Sequence, residues 1–226
     1  MSKLKVSILQ FPGTNCEYDT VYAFKKLECD TEILWHKENL EIDCDLLVIP
    51  GGFSYGDYLR CGAIAKYSPI MRSVAKYADN GGKVLGICNG FQVLTEAGLL
   101  PGALKRNDNL HFISRIQHLK VISTNNAFLN RCKEDEILNI PIAHHDGNYF
   151  VDENTLSDMY SNNQILLKYC DSEGNPMVVN GSIDQIAGVC NRDKNVFGLM
   201  PHPERAMESI LGSSDGTKML EGFLSQ

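Results

Sequence analysis

The stretch LLVIP at residues 46–50 is apolar at every position. A strand built from it buries both faces, which only a sheet covered on two sides accommodates. Three more β-prone runs share the first half: KVSILQF (5–11), TEILWH (31–36) and KVLGIC (83–88). Between the first two, CEYDTVYAFKKLEC spaces Val21, Phe24 and Leu27 along one helical face. Before KVLGIC, the segment IMRSVAKYADNGG repeats Ile70, Val74 and Ala78 at intervals of four and stops on Gly81-Gly82. Strands alternating with helices predict an α/β domain with a mostly parallel central sheet and helices on both faces. In the second half, HFISRIQHLKVISTN, NQILLKYCD, DQIAGVCN and NVFGLMP read as shorter strands joined by polar turns. They are expected to extend the same sheet, partly antiparallel, and TKMLEGFLSQ predicts a closing helix. No linker or repeat interrupts the chain, so one domain is expected over residues 1–226.

Composition narrows the function. A formal net charge of −7 with no long Lys/Arg block argues against a nucleic-acid partner. No apolar stretch approaches the ~20 residues of a membrane span, and MSKLKVSILQF lacks the apolar core of a signal segment. A soluble, cytoplasmic protein is expected. The eight cysteines form no Cys-x-x-Cys pair, and in such a chain most are expected to be free, buried thiols.

Three loops carry chemistry. VLGICNGFQ, residues 84–92, sets Cys88 between Gly86 and Gly90 where a strand gives way to a helix. A sharp strand–nucleophile–helix turn brings backbones close and requires small residues two positions to either side. At the head of a helix the thiolate is stabilised by free amides, and the Asn89 amide is placed to donate to an oxyanion. The plain alternative is a glycine-flanked core cysteine. In VIPGGFSYGDYLRCGA, a buried strand stops at Pro50 and opens into Gly51-Gly52, with the Gly52 amide a second oxyanion donor. Pro-Gly-Gly also makes ordinary turns. In LMPHPERA, Pro201 and Pro203 flank His202 and exclude helix. Extended chain there would point Glu204 the same way as His202, giving a base and the carboxylate that orients it. Without Cys88 this segment reads as a surface turn; with it, the three residues read as a triad.

Other features carry less. Adjacent histidines in His144-His145-Asp146 point to opposite strand faces, so no metal site is expected. His36, His111 and His118 are isolated. Gly212–Lys218 is one residue short of a phosphate loop and follows no strand, and Asn180-Gly181-Ser182 is a glycosylation sequon without a secretory route.

With these loops in this order, the sequence resembles the class I (triad) glutamine amidotransferases. FPGTNCEYDT, PGGFSYGDYLR, GICNGFQVLTEAGLLPG and MPHPER are similar to the glutaminase subunits that serve phosphoribosylformylglycinamidine synthesis in the purine pathway. The resemblance covers nearly the whole chain. It implies a flavodoxin-like (Rossmann-like) fold and hydrolysis of L-glutamine to glutamate and ammonia through a cysteinyl thioester. Cys88 would be the nucleophile, His202 the base and Glu204 its partner. Gly52 and Asn89 would hold the oxyanion, and Gln92 would contact the substrate. It further implies a large synthetase subunit and a small bridging subunit as partners. No cofactor or metal is expected in this chain, whereas ATP and Mg²⁺ are expected in the synthetase. One departure stands out: His144-His145-Asp146-Gly147 replaces the family's His-Gly-Glu-Gly. Two rivals remain, a cysteine hydrolase on a DJ-1-like α/β fold and a non-catalytic assembly module. The DJ-1-like proteins lack the MPHPE segment, and an assembly module usually loses the Cys or the His.

Overall fold

A computed structural model describes residues 3–224. The parallel half begins with β1 (Lys5–Gln10), α1 (Glu17–Lys26), β2 (Asp30–Trp35) and β3 (Leu46–Ile49). It continues through α2 (Ile70–Asp79), β4 (Val84–Ile87) and α3 (Asn89–Glu96). The chain then forms β5 (Ala103–Lys105), β6 (Ile113–Val121), β7 (Ile137–His144), β8 (Asn148–Phe150) and α4 (Glu153–Ser161). It ends with β9 (Ile165–Cys170), β10 (Ile186–Cys190), β11 (Val196–Leu199) and α5 (Asp215–Glu221).

Nine strands form one sheet in the order β2-β1-β3-β4-β11-β10-β9-β6-β7. The first five are mutually parallel and the rest run antiparallel to their neighbours. Strands β3 and β4 are buried at every position, as continuous apolar runs require. The chain leaves β1 toward β2 and returns to the far side of β1 for β3. That reversal opens a crevice at the carboxyl ends of the parallel strands, where ligands bind in open α/β sheets.

The antiparallel half curls back on the parallel half. β11 and β7 stand four places apart in the sheet, yet the His202 amide, just past β11, donates to the Pro141 carbonyl of β7 at 2.8 Å. β7 was not anticipated from sequence, although ILNIPIAH alternates half-buried and buried positions along its length. Pro141 masks it, because proline removes a ladder donor and is confined to edge strands or bulges; β7 is an edge strand. α4 was also missed, though Asp152 caps it by accepting from the amides of Asn154 and Thr155. The expected closing helix is α5 plus a 3-10 turn over Gly222–Leu224, and its last two residues lie outside the described residues.

Behind the site, Phe197 of β11 packs on Phe128 and Phe223 with ring centroids 6.1 and 5.5 Å apart. Phe197 is fully buried, and emptying that volume leaves a cavity its neighbours cannot close. Phe197→Ala is expected to lower unfolding stability by about 3–5 kcal/mol, read from urea denaturation. A loss below ~1 kcal/mol would show that the cluster relaxes freely.

Candidate active site

Five loops meet at the carboxyl edge of the sheet. They follow β1 (Asn15, Cys16), β3 (Gly52, Phe53), β4 (Cys88), β7 (His145, Asp146) and β11 (His202, Arg205), and line a cavity of about 200 Å³. A larger cavity of about 760 Å³, bounded by Leu40, Ile42, Tyr77 and Lys83, contains none of the candidate catalytic or binding residues.

Cys88 sits between β4 and α3 at φ 51° and ψ −103°, a conformation a non-glycine residue adopts only when its surroundings enforce it. The enforcement is visible. The Cys88 amide donates to the Leu199 carbonyl at 2.8 Å. A methyl on Gly86 would lie 2.7 Å from the Gly90 carbonyl carbon, and one on Gly90 would overlap the Ile49 carbonyl. Both glycines are therefore required for space, as the motif predicted. The thiol donates to the Ala143 carbonyl at 3.7 Å.

His202 and Glu204 are buried, and His202 Nδ1 lies 2.7 Å from Glu204 Oε1. The pairing is as expected, but the route differs. Pro203–Arg205 forms a 3-10 turn rather than extended chain. Pro203 occupies the first helical position, where its missing N–H costs nothing. Burial opposes charge on His202. The Glu204 carboxylate and then the Cys88 and Cys16 thiols outweigh it and hold the imidazole well above its ordinary pKa. His202 Nε2 is buried and has no hydrogen-bond partner among the described residues.

Gly52 adopts φ 143°, open only to glycine, and faces the cavity. Its neighbours are tied down, Phe53 N to Gly13 O at 2.9 Å and Asn15 N to Gly51 O at 3.5 Å. The Asn89 amide opens α3 and has no intrahelical acceptor. Its side chain clamps the elbow to the glycine loop, accepting from Ser54 N at 3.0 Å and donating to Gln92 Oε1 at 2.9 Å. Gln92 lines the cavity and donates through Nε2 to the Asp146 carbonyl at 2.7 Å.

The His144-His145-Asp146 segment borders the same cavity. His144 is buried, with Nδ1 3.2 Å from Asn107 Oδ1, while His145 points outward to the Leu110 carbonyl. Burial, and then repulsion from His202, push the His144 pKa down to about 4. Asp146 accepts from the Cys61 thiol at 3.2 Å and lies 3.5 Å from Arg106 Nε. Asn180 of the sequon is buried and donates to the Gly147 carbonyl at 2.8 Å.

Sequence reasoning missed Cys16 and Arg205 as site residues. Arg205 Nη2 donates to Cys16 Sγ at 3.0 Å and Nε to Asp19 Oδ2 at 3.1 Å. The signals available were their places in FPGTNCEYDT and MPHPER and the position of Cys16 just past a strand at the same sheet edge. Cys16, His202 and Glu204 offer ligand atoms within 4.8 Å of one another. The His202–Glu204 bond and the adjacent Arg205 cation leave this group poorly suited to a metal ion.

Residues 3–220 match the family model described as a CobB/CobQ-like glutamine amidotransferase domain. The chain is 68% identical over 222 residues to the phosphoribosylformylglycinamidine synthase subunit PurQ of Sulfurimonas denitrificans, covering 98% of this chain and 99% of that one. It is 61% identical to the subunit of the same name from Helicobacter hepaticus, covering 98% and 97%. Among solved structures it is similar to a chain of the PurLQS structure from Thermotoga maritima, with TM-score 0.88, 39% identity and coverage of 99% and 98%.

His144 gives a test of the electrostatics. Its folded pKa is depressed from 6.5 to about 4, so the stability held by its neutral form is present above pH ~6.5 and lost as the pH falls toward 4. Unfolding curves of wild type and His144→Gln are expected to converge by about 3 kcal/mol between pH 7 and 4. A constant difference would mean that His144 titrates normally.

Proposed function

This chain belongs to the family of CobB/CobQ-like glutamine amidotransferase domains, and we propose that it is a glutaminase subunit supplying ammonia to a separate synthetase. The reaction served is conversion of formylglycinamide ribonucleotide to formylglycinamidine ribonucleotide in purine biosynthesis. The observation that carries this reading is a cysteine at an enforced strand–helix corner sharing a cavity with a buried His–Glu pair.

The geometry supports one sequence of steps. His202 accepts the Cys88 proton, and the thiolate attacks the side-chain amide carbon of L-glutamine. The amides of Gly52 and Asn89 stabilise the oxyanion that develops. Glu204 orients His202 and stabilises its charged form. Collapse of the tetrahedral adduct breaks the C–N bond, and His202 returns the proton to the departing ammonia. Water then hydrolyses the thioester, releasing glutamate and restoring the thiol. Gln92 braces the Asp146 loop, from which it can contact the substrate.

Amide-to-amidine conversion requires activation of an oxygen, which this chain is not equipped to perform. ATP and Mg²⁺ are assigned to a large synthetase subunit, with a small subunit bridging the two. Similarity to a chain of the T. maritima PurLQS structure supports the partner subunits. A cytoplasmic setting accords with eight free cysteines. No described helix is long and apolar enough to cross a membrane. A DJ-1-like hydrolase is disfavoured by the family match, and an assembly module by retention of both Cys88 and His202 in one cavity.

An electrophilic glutamine analogue tests the reading by intact mass and peptide mapping. A single adduct on Cys88, blocked by free glutamine and not by glutamate or asparagine, is expected. Labelling spread over several thiols would overturn the assignment. Glutaminase turnover of the isolated chain is expected to be low and to rise when the synthetase docks; equal turnover alone and in complex would contradict the dependence on a partner.

A further inference from the structure

The mechanism leaves one buried nucleophile at the site unused. Cys16 is 2% exposed, lines the cavity with Cys88, and is held against the imidazole and the Arg205 guanidinium. Gly51 separates the two sulfur-bearing side chains. A single point, where a methyl on Gly51 would stand, lies 3.0 Å from Cys16 Sγ, 3.4 Å from Cys88 Cβ and 2.8 Å from His202 Cε1. No side chain of residue 51 stands at that point, because residue 51 is glycine.

We propose that Cys16 is the resolving thiol of an oxidation site, forming a reversible Cys16–Cys88 disulfide when a hydroperoxide reaches the cavity. The inference rests on the reading of Cys88 as the nucleophile. In the first step the Cys88 thiolate attacks the peroxide, the O–O bond breaks, and Cys88 becomes a sulfenic acid while the peroxide is reduced to water or an alcohol. In the second, Cys16 sulfur attacks the Cys88 sulfur, its proton leaves with the hydroxide expelled from Cys88, and the products are a disulfide and water. Cys88 and Cys16 together lose two electrons, and the peroxide gains them.

The choice of Cys16 over the third cavity thiol follows from charge. Cys61 donates to Asp146 at 3.2 Å, and burial with the Asp57 and Asp146 carboxylates suppresses its ionisation strongly. Burial, with the Glu204 carboxylate, raises Cys16 on balance, and His202 and Arg205 offset only part of that. Cationic neighbours favour a thiolate where carboxylate neighbours oppose it, so of the two Cys16 is the better placed to attack. The disulfide would occupy the nucleophile and close the site until a dithiol reduces it. Without Cys16, the sulfenic acid would be open to further irreversible oxidation to sulfinic and sulfonic acid.

The test uses the full chain treated with hydrogen peroxide, blocked with N-ethylmaleimide and digested without reductant. The expected result is an intact mass lower by two hydrogens and one cross-linked species joining the peptides that carry Cys16 and Cys88. Labelling of Cys88 by the glutamine analogue is lost on oxidation and restored by dithiothreitol. Cys16→Ser is expected to accumulate sulfinic acid on Cys88 that dithiothreitol does not reverse, whereas Cys61→Ser still forms the cross-link. Should Cys16→Ser fail to fold, the wild-type and Cys61→Ser peptide maps decide alone. Cys88 recovered unlinked, or joined to Cys61, would overturn the proposal. If untreated chain does not label at Cys88 with the analogue, the nucleophile assignment fails instead.

Discussion

The backbone bond from the His202 amide to the Pro141 carbonyl closes one half of the sheet onto the other. An open nine-stranded sheet would leave β7 far from the parallel strands. The curl brings its carboxyl end to the mouth of the same crevice, and with it the Ala143 carbonyl that receives the Cys88 thiol. His202 and the wall opposite Cys88 are thus tied together at this junction, which the Asn139 amide reinforces by donating to Asp215 at 2.7 Å. Glu204 follows two residues later on a 3-10 turn, so the orientation of the imidazole is inherited from the same junction.

The corner at Cys88 depends on close approach of a second kind. Helix α3 starts so near β3 that Gly90 leaves no room for a methyl beside the Ile49 carbonyl. Residues held in sparsely populated backbone regions persist only where the surroundings over-determine them. Here the surroundings are the parallel bonds of β4 to β3 and β11, the Cys88 amide bond to Leu199, and the Asn89 side chain clamped to Ser54 and Gln92. Cys88 is therefore held by bonds from both neighbouring strands and from the glycine loop beside it.

Much of this was legible in the sequence because it was local. Continuous apolar runs identified the central strands, and two glycines flanking a cysteine identified the corner, since both signals report backbone crowding within a few residues. The His202–Glu204 pair was legible in its partners and not in its path, because two prolines exclude regular helix yet permit a single 3-10 turn. β7 stayed hidden behind Pro141, whose meaning depends on whether a strand is at an edge. Cys16 and Arg205 stayed hidden for a deeper reason. Their contact joins residues 189 positions apart, and no spacing rule reports a meeting made by the sheet's topology.

Two histidines in one cavity with opposite shifts divide the proton chemistry between them. His202 holds a proton readily because a buried carboxylate is bonded to its far nitrogen. His144 resists one because it is buried, and the His202 charge repels a second cation beside it. Each shift supports the other: a protonated His202 makes a second cation costly, and a neutral His144 leaves His202 free to gain and lose its proton alone. Separation of pKa values between neighbouring groups assigns acid–base roles. On the proposed mechanism, His202 rather than His144 is therefore the histidine that takes the thiol proton and returns it to the departing ammonia.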